Sequence, residues 1–290
     1  MHALKGDFMK KYCVLYNPYS ASGKGEILAT KLKHILGDEL YFISTSHIKN
    51  YNEFFDFTSD DIILCGGDGT LNHFVNDIRN INYNNRIYYY PCGSGNDFFN
   101  DIGKDKLKPI EITDYIKNLP VVIFNDEEHF FLNGVGMGLD GYCCENVNEH
   151  KNNNKKGNYT LTALKGILYD YKPVNAHVNV DEHHYDFKNV WLAPTMKGKF
   201  YGGGMKVAPN QDRNSDSLSL VVVHDVSRVK LLSILPTVFS GNHIKKDKVV
   251  TVLEGQNIDV EFDCVCSIQL DGETFDNVSK YSAKIYSKRK

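Results

Sequence analysis

A run of apolar residues that ends in glycines and a single acid limits most strongly how this chain can fold. Residues 62–76 read IILCGGDGTLNHFVN, and a helical pattern follows the glycines. Glycines between a strand and a helix let the backbone approach a ligand, and the start of the helix offers N–H groups to phosphate. Phosphate would repel Asp68 unless a cation lay between them, so the loop indicates a magnesium nucleotide. Taken alone, it also fits a tight turn in which Asp68 caps the helix.

Strand-like and helix-like patterns alternate through the first 120 residues. Strands are predicted at 11–17, 40–45, 61–65 and 86–92. The helix after the first strand is predicted to place its apolar residues, from Ile27 to Leu36, on one face. Strands that alternate with helices form a parallel sheet covered on both faces. We therefore predict an α/β domain over residues 1–120.

The pattern changes at about Val121. Short apolar runs separated by turns follow, and this arrangement is typical of antiparallel sheet. Two helical stretches are predicted within it, near 159–171 and 228–240, and 150–158 is predicted to be a polar loop. We therefore predict a second, mostly antiparallel domain over residues 121–290.

The composition of the chain limits which partners it can bind and in which compartment it can be expected. The chain has 290 residues and a net charge of −3, which favours no nucleic-acid partner. No stretch approaches the roughly 18 apolar residues of a membrane span, and no signal peptide precedes Asn17. The seven cysteines form no CxxC pair and the histidines, His183 and His184 included, have no HExxH spacing. These features argue against zinc and favour a reduced cytoplasmic protein.

Two further strands end in polar loops that contain glycine. One loop reads NPYSASGKG from Asn17, and the other reads PCGSGNDFFND over 91–101. Because the carboxyl ends of parallel strands meet at one edge of a sheet, we expect the three loops to converge there. None of them matches a P-loop or GxGxxG, so two standard phosphate-binding motifs are excluded.

Taken together, the motifs resemble the diacylglycerol kinase catalytic-domain family, which includes bacterial soluble lipid kinases, sphingosine kinases and ceramide kinases. The matching segments are NPYSASGKG, CGGDGTLNHFVN, PCGSGNDF, FLNGVGMGLDG, GGGMKVAPNQDRNSDSLSLVVV and LDGETF, in that order. They extend from about Lys11 to Tyr286. The resemblance implies a nucleotide-binding α/β domain followed by a C-terminal β-sandwich that takes a lipid substrate, with the active site in the cleft between the two.

The resemblance also implies which residues bind the nucleotide and the metal. Residues implied to hold ATP are Asn17, Pro18, Ser20, Gly23, Thr45, Gly66, Gly67, Asp68, Gly69, Thr70, Ser94, Gly95, Asn96 and Asp97. Asp216 and the Leu218 carbonyl match the family's structural magnesium ligands, and Asp212 could replace or supplement one of them. Asp68, Asp97 and Asp216 are expected to share a water-bridged acidic network.

Two acids near the C-terminus match the family's catalytic acids. Asp271 and Glu273 lie in LDGETF, and a carboxylate within reach of the substrate hydroxyl can accept its proton. Asp271 is the leading candidate for the base and Glu273 the second. The same four residues, LDGE, also fit a hairpin turn of type I′ or II′.

The resemblance implies an ATP- and magnesium-dependent lipid kinase that phosphorylates diacylglycerol or a related membrane lipid. The alternatives are an NAD kinase or a nucleotide-binding regulator without catalysis. We expect transient contact with the inner face of the membrane, for which Lys245, Lys246, Lys248 and the terminal 288–290 run are candidates. The sequence leaves open whether the chain forms a homodimer.

Overall fold

The computed structural model describes residues 12–37, 39–93, 95–103, 105–152, 162 and 165–285. By its internal contacts the chain separates into two units. The first comprises Met1–Ser94 and Gly103–Asp114, and the second comprises Gly95–Ile102 and Tyr115–Lys290. The domain boundary predicted between residues 120 and 121 stays a prediction.

A five-stranded sheet, in the order β2-β1-β3-β4-β5, forms the centre of the first unit. Its strands are β1 (Tyr12–Tyr16), β2 (Leu40–Ser44), β3 (Asp61–Gly66), β4 (Ile87–Pro91) and β5 (Ile110–Glu111). The first four run parallel, whereas β5 is antiparallel to β4. The four residues 62–65 of β3 are all fully buried, although successive side chains point to opposite faces. Both faces of the sheet are therefore covered, and the predicted α/β fold is confirmed.

Short helices connect these strands. They are α1 (Ser20–Gly23), α2 (Gly25–Thr30), α3 (Leu32–Leu36), a 3₁₀ turn (Thr45–His47), α4 (Tyr51–Phe57) and α5 (Asp68–Asp77). The single helix predicted after β1 is wrong, because the chain breaks at Lys31 between α2 and α3. Leu32 is fully buried, but Ile27 is 63% and Leu36 39% exposed. Lys31 keeps helical φ and ψ, and Ile27 and Leu36 lie off the side on which Leu32 is buried.

An antiparallel sheet of ten strands forms the second unit. The strands are β6 (Val121–Phe124), β7 (Glu127–Phe130), β8 (Gly134–Gly138), β9 (Val174–Val180), β10 (His183–Val190), β11 (Leu192–Met196), β12 (Leu218–Val223), β13 (Val250–Gly255), β14 (Asn257–Leu270) and β15 (Glu273–Lys284). Their order is β13-β12-β11-β8-β14-β15-β6-β7, and the β9–β10 pair joins β14 through β9. The antiparallel second half is confirmed. Its main core contains Val122, Phe131, Leu220 and Val260.

Helices accompany this sheet. They are α6 (Asp97–Ile102), α7 (Thr113–Lys117, which crosses the boundary of the units), α8 (Leu139–Asn152), a π turn (Gly166–Asp170), α9 (Arg228–Val238) and a 3₁₀ turn (Asn242–Lys245). α9 confirms the helix predicted at 228–240. Of the helix predicted at 159–171, only 162 and 165–171 are described. No helix in the described part of the chain is long and apolar enough to cross a membrane.

No predicted helix corresponds to α8. The predicted polar loop at 150–158 is wrong for 150–152, which belong to α8; 153–158 lie outside the described residues. The segment LDGYCCENVNEHKN has few apolar residues at helical spacing. Leu139, Cys143 and Cys144 nevertheless lie buried. Packing against the sheet, rather than a clear apolar stripe, stabilises this helix.

Candidate functional site

The carboxyl ends of the parallel strands in the first unit lie at one edge of its sheet. Tyr16, the last residue of β1, is aligned with Ser44 on one side and Cys65 on the other. Gly66 is aligned with Pro91. The loops that begin at Asn17, Thr45 and Gly67 therefore start side by side, as the alternation of strands and helices predicts.

The loop after β1 and the loop after β3 are joined through Thr70. The Nδ2 atom of Asn17 donates to the hydroxyl of Thr70 at 3.0 Å, and the Ser20 hydroxyl lies 3.2 Å from the same oxygen. The Oδ1 atom of Asn17 accepts from the backbone N–H of Tyr19 at 2.9 Å. These bonds fix both loops relative to each other, so the polar side chains share one small volume.

Close backbone approach explains the glycines of this edge. A Cβ at Gly66 would lie 2.4 Å from the Cβ of Thr70, and one at Gly67 would lie 3.1 Å from the Cα of Gly93. Asp68 follows at the start of α5. Gly67 thus brings the loop after β4 against the loop after β3. Ser94 lies outside the described residues.

The predicted ligands after Ser94 belong to the second unit. Asn96 precedes α6, and Asp97 begins it with a nearly buried side chain. The two carboxylate oxygens of Asp97 accept from the backbone N–H groups of Gly203 and Gly204, at 2.8 and 2.7 Å. The three residues from Gly202 to Gly204 all have positive φ, which side-chain-bearing residues adopt at a cost. Asp97 therefore stabilises this glycine turn.

Asp271 lies in the hairpin that joins β14 to β15. Leu270 and Glu273 are paired, and the two residues between them, Asp271 and Gly272, have φ values of 49° and 94°. Positive φ at both central positions defines a type I′ turn. The hairpin alternative is therefore confirmed, but it does not exclude a chemical role for the acid, whose carboxylate bonds to a distant segment of the chain.

The carboxylate of Asp271 is bound by three consecutive backbone N–H groups, those of Leu132, Asn133 and Gly134. The distances are 2.6 Å to Oδ2 and 2.8 and 3.0 Å to Oδ1. The N–H of Asp271 donates in return to the Gly134 carbonyl at 3.0 Å. Charge-assisted bonds of this kind hold a carboxylate in one orientation. Asp271 and the 132–134 turn thus form one rigid assembly, next to the partly buried Glu273.

Arg213 holds the same turn from its other side. Its guanidinium donates to the Leu132 carbonyl and, at 2.8 Å, to Oδ1 of Asn133. Its Nε atom donates at 2.8 Å to Asp101, whose side chain is only 2% exposed. The guanidinium also lies 4.5 Å from the centroid of the Phe98 ring. A buried ion pair therefore connects α6 to the turn that orients Asp271.

The loop that contains the expected magnesium ligands is bonded to the ammonium group of a lysine. The Lys197 ammonium donates to the Ser215 carbonyl at 2.5 Å. Burial, followed by the charge of Arg213, lowers the pKa of Lys197, whereas Asp216 and Asp212 raise it. Asp212 also accepts from the N–H of Asn214 at 3.0 Å.

The structural magnesium ion predicted at Asp216 and the Leu218 carbonyl stays a prediction. Within the described ranges, Asp212 and Asp216 belong to no group of three acidic, histidine or cysteine side chains with ligand atoms within 4.8 Å. Hard divalent cations take several oxygen ligands, and Lys197 places a positive charge against the Ser215 carbonyl, one residue before Asp216. We therefore assign no step to a metal at Asp216 and Leu218.

Chelation of magnesium is expected to change the melting temperature of the wild-type protein very little, because Lys197 already supplies positive charge to this loop. Thermal melts with millimolar MgCl₂ and with EDTA measure this, and Asp216→Ala serves as the comparison. A drop of several degrees in EDTA that disappears in Asp216→Ala would contradict the expectation and restore the metal assignment.

Asp140, in the FLNGVGMGLDG segment, is a buried acid at the start of α8. Burial raises the pKa of Asp140 to about 7, although the N–H of Gly141 and the Gln269 side chain lower it. The folded state therefore binds a proton that the unfolded state releases near pH 4. The resulting stabilisation is full below about pH 3.8 and is lost as the pH rises through 7.

Asp140→Asn is expected to remove this pH dependence, because the amide is neutral throughout. Relative to wild type, its free energy of unfolding should rise by about 3 kcal/mol between pH 5 and pH 8. Urea unfolding at several pH values measures the difference, with the exposed Asp247→Asn as a matched control. Parallel pH profiles for wild type and Asp140→Asn would contradict the prediction.

Sequence reasoning missed Arg213, Asp101, Lys197 and Asn133. Arg213 lies inside a segment that was singled out, but Asp101 is 112 positions away. A buried polar residue leaves no periodic signal when its partner is that distant. For Lys197, the one available signal was a charged residue directly after the apolar strand β11.

Comparison with known proteins agrees with this organisation. Residues 11–122 match the family model described as the diacylglycerol kinase catalytic domain, and residues 133–284 match the YegS C-terminal NAD kinase beta sandwich-like domain. The Bacillus subtilis (strain 168) protein named "Putative lipid kinase YtlR" is 24% identical over 216 residues, which cover 68% of each chain. The protein named "Diacylglycerol kinase" from the same strain is 23% identical over 287 residues, covering 91% of this chain and 90% of that one.

A solved structure shares the fold. The crystal structure of a diacylglycerol kinase from Bacillus anthracis str. Sterne aligns with a TM-score of 0.68 at 20% sequence identity. The alignment covers 97% of this chain and 95% of that one. The α/β first half and the antiparallel second half are therefore those of a known architecture.

Proposed function

The chain belongs to the diacylglycerol kinase catalytic-domain family, and we propose on that premise that it transfers the γ-phosphate of ATP to a hydroxyl of diacylglycerol or a related membrane lipid. Relatives named as lipid kinases or diacylglycerol kinases support the kinase class. The choice of ATP and of the lipid is our proposal.

The observation that carries the proposal is the edge of the parallel sheet. There the Thr70 hydroxyl is held by Asn17 and Ser20, and Gly67 allows the next loop to approach within van der Waals contact. Backbone N–H groups and hydroxyls in such a loop suit phosphate, and the start of α5 adds the positive end of a helix. Magnesium bound with the nucleotide would neutralise phosphate charge, and Asp68 is the acid of this loop that would face it.

The lipid hydroxyl that receives the phosphate needs a hydrogen-bond partner held in a fixed position more than it needs a strong base. Phosphoryl transfer proceeds through a loose transition state in most analyses, so positioning and charge stabilisation supply most of the catalysis. In the proposed mechanism, Asp271 accepts the hydrogen bond of the lipid hydroxyl and then its proton. The N–H groups of residues 132–134 orient that carboxylate before the substrate arrives. Glu273, two residues later, would help to place the substrate.

Access to a membrane substrate would use the exposed surface of the second unit. Lys245, Lys246 and Lys248 are exposed around the turn that precedes β13. Each basic side chain near an anionic membrane surface contributes about 1 kcal/mol to the free energy of binding that surface. The residues 288–290 named for the same role lie outside the described part of the chain.

An ATP-consumption assay tests the proposal against its alternatives. Purified protein is supplied with diacylglycerol in mixed micelles, with NAD, or with neither. We expect consumption that depends on the lipid, and we expect Asp68→Ala to abolish it while the exposed Asp56→Ala retains it. Consumption that depends on NAD would instead identify an NAD kinase. ATP binding without turnover on any lipid of a panel would favour a nucleotide-binding regulator.

A further inference from the structure

Two exposed histidines and an exposed aspartate lie together in the second unit, and none of them has a role in the proposed kinase site. His177 lies on β9, and His184 and Asp186 lie on β10. One ligand atom from each lies within 4.8 Å of the others. In the described part of the chain, this is the one group of three or more such side chains that meets this distance.

The register of the strands builds the cluster. Asp186 is directly opposite His177, and His184 is directly opposite Asn179. Residues two apart on a strand share a face, so all four side chains project to the same side. On the other side of β9, strand β14 places Glu261 opposite His177. Three hydrogen-bonded strands therefore hold the group, which does not depend on a loop.

The hydrogen bonds of the histidines follow one pattern. A single oxygen, Oδ1 of Asp186, lies 2.6 Å from Nδ1 of His177 and 3.1 Å from Nε2 of His184. The other ring nitrogen of each histidine lies against a second oxygen. These distances are 3.2 Å to Oδ1 of Asp263 and 2.9 Å to Oδ1 of Asn179.

This pattern is the one that metal-binding histidines show. A histidine that ligates a metal commonly donates its other N–H to a carboxylate or a carbonyl oxygen, which fixes the tautomer and the ring orientation. In that tautomer, both His177 and His184 would direct a lone pair at the charged Asp186. Such an arrangement is repulsive unless either protons on these nitrogens or a metal ion lie among the three atoms.

We propose that His177, His184 and Asp186 bind a divalent transition-metal ion of the zinc type. Two imidazoles and one carboxylate suit such ions, at metal–ligand distances of about 2.0–2.2 Å. Tetrahedral ligands at that distance are separated by about 3.3 Å, so Nδ1 of His177 needs to move away from Oδ1 of Asp186 by about 0.7 Å and Nε2 of His184 by about 0.2 Å. Asp263 and Asn179 hold the rings from behind.

An adjoining cavity gives a metal ion access and a further ligand. It has a volume of about 590 Å³ and is lined by His177, His184, Asn179, Asp259 and Glu261, among others. Water in this cavity can complete the coordination, and the acids attract cations. The absence of a recognisable motif is explained by topology, because the ligands lie on two strands and their spacing follows from the hairpin register.

Bound metal would link β9 to β10 and stabilise the folded chain by mass action. The proposal does not depend on the lipid kinase assignment, and its measurements are of binding. Metal-free protein, prepared with EDTA and desalted at pH 7.5, is titrated with ZnCl₂ by calorimetry. The Co²⁺ absorption spectrum of the same protein reports the geometry of the ligands.

The wild type is expected to bind one zinc ion per chain with a rise in melting temperature. His184→Ala and Asp186→Asn should each weaken binding at least tenfold and remove the rise. His183→Ala is the matched control, because it is the adjacent exposed histidine and points to the opposite side of the strand. All three side chains are exposed, so metal-free melts should coincide.

Two outcomes would overturn the proposal. One is the lack of saturable, equimolar zinc binding by the wild type, in which case protons alone satisfy the cluster. The other is binding by His184→Ala and Asp186→Asn as strong as that of His183→Ala, which would locate the metal elsewhere.

Discussion

Asp271→Asn is expected to lower kcat for lipid phosphorylation by about 100- to 10,000-fold, the range usual for loss of a general base. The change removes a charge and replaces one carboxylate oxygen by an amide group. That group would direct its own N–H donors at the N–H groups of residues 132–134, which now donate to the carboxylate. The KM for ATP should change little, because Asn17, Thr70 and the glycine loops are untouched.

Glu273→Gln provides the comparison for Asp271→Asn. It should cost less in kcat, because Glu273 has one more torsion to order and is expected to help place the substrate. Steady-state rates at saturating ATP and lipid, measured for both variants, decide the assignment. Leaving N–H groups unsatisfied also costs about 1–3 kcal/mol of stability, so the folded fraction of each variant is checked by circular dichroism. A larger loss in Glu273→Gln would reverse the two roles without affecting the kinase assignment.

Arg213→Met is expected to lower the free energy of unfolding by about 3–5 kcal/mol, because it leaves the buried carboxylate of Asp101 without its main partner. The Leu132 carbonyl and Asn133 lose a donor as well. The loss should fall near the lower end of this range, since Lys199 stays 3.5 Å from Asp101. Urea unfolding measures it, and kcat should fall as the turn that orients Asp271 loosens.

A second substitution separates the charge effect from lost packing. The double variant with Asp101→Asn and Arg213→Met should recover part of the stability lost in Arg213→Met, because no buried charge remains unpaired. Arg86→Met is the matched control, since Arg86 bonds to Asp61 at 2.6 Å but its side chain is 41% exposed. We expect it to change stability little. Equal losses in Arg213→Met and Arg86→Met would contradict the importance assigned to the buried pair.

The residue pattern within a single segment was sufficient to predict the strands and loops whose structure depends on that segment alone. The apolar run 62–65 identified a buried central strand, and the glycine loops identified the edge where Asn17 and Thr70 meet. The same reasoning failed for α8, where polar residues outnumber apolar ones and burial is decided by the sheet. It also failed at Lys31, where a break between two short helices leaves no proline or glycine as a signal.

The contacts that orient the candidate site could not be predicted from periodicity. Asp271 was identified through its motif, but its partners lie 137 to 139 positions earlier. No motif points to Lys197, whose ammonium bonds to the Ser215 carbonyl next to the predicted metal ligand Asp216. Periodicity indicates which face of a strand is buried. It does not indicate which distant polar groups meet there.

The turn at residues 132–134 also fixes a time order for folding. Its amide groups precede Arg213 by about 80 positions and Asp271 by 137 to 139. Closing such long loops is costly and slow, and domains assemble from the N-terminal side during synthesis. On a ribosome, the first unit can pair its parallel strands while β14 and β15 are still to be made. The orientation of Asp271, the proposed proton acceptor, must then be among the last events of folding. A truncated nascent chain would therefore form the nucleotide-binding loops of the first unit before it has a group that can activate a substrate.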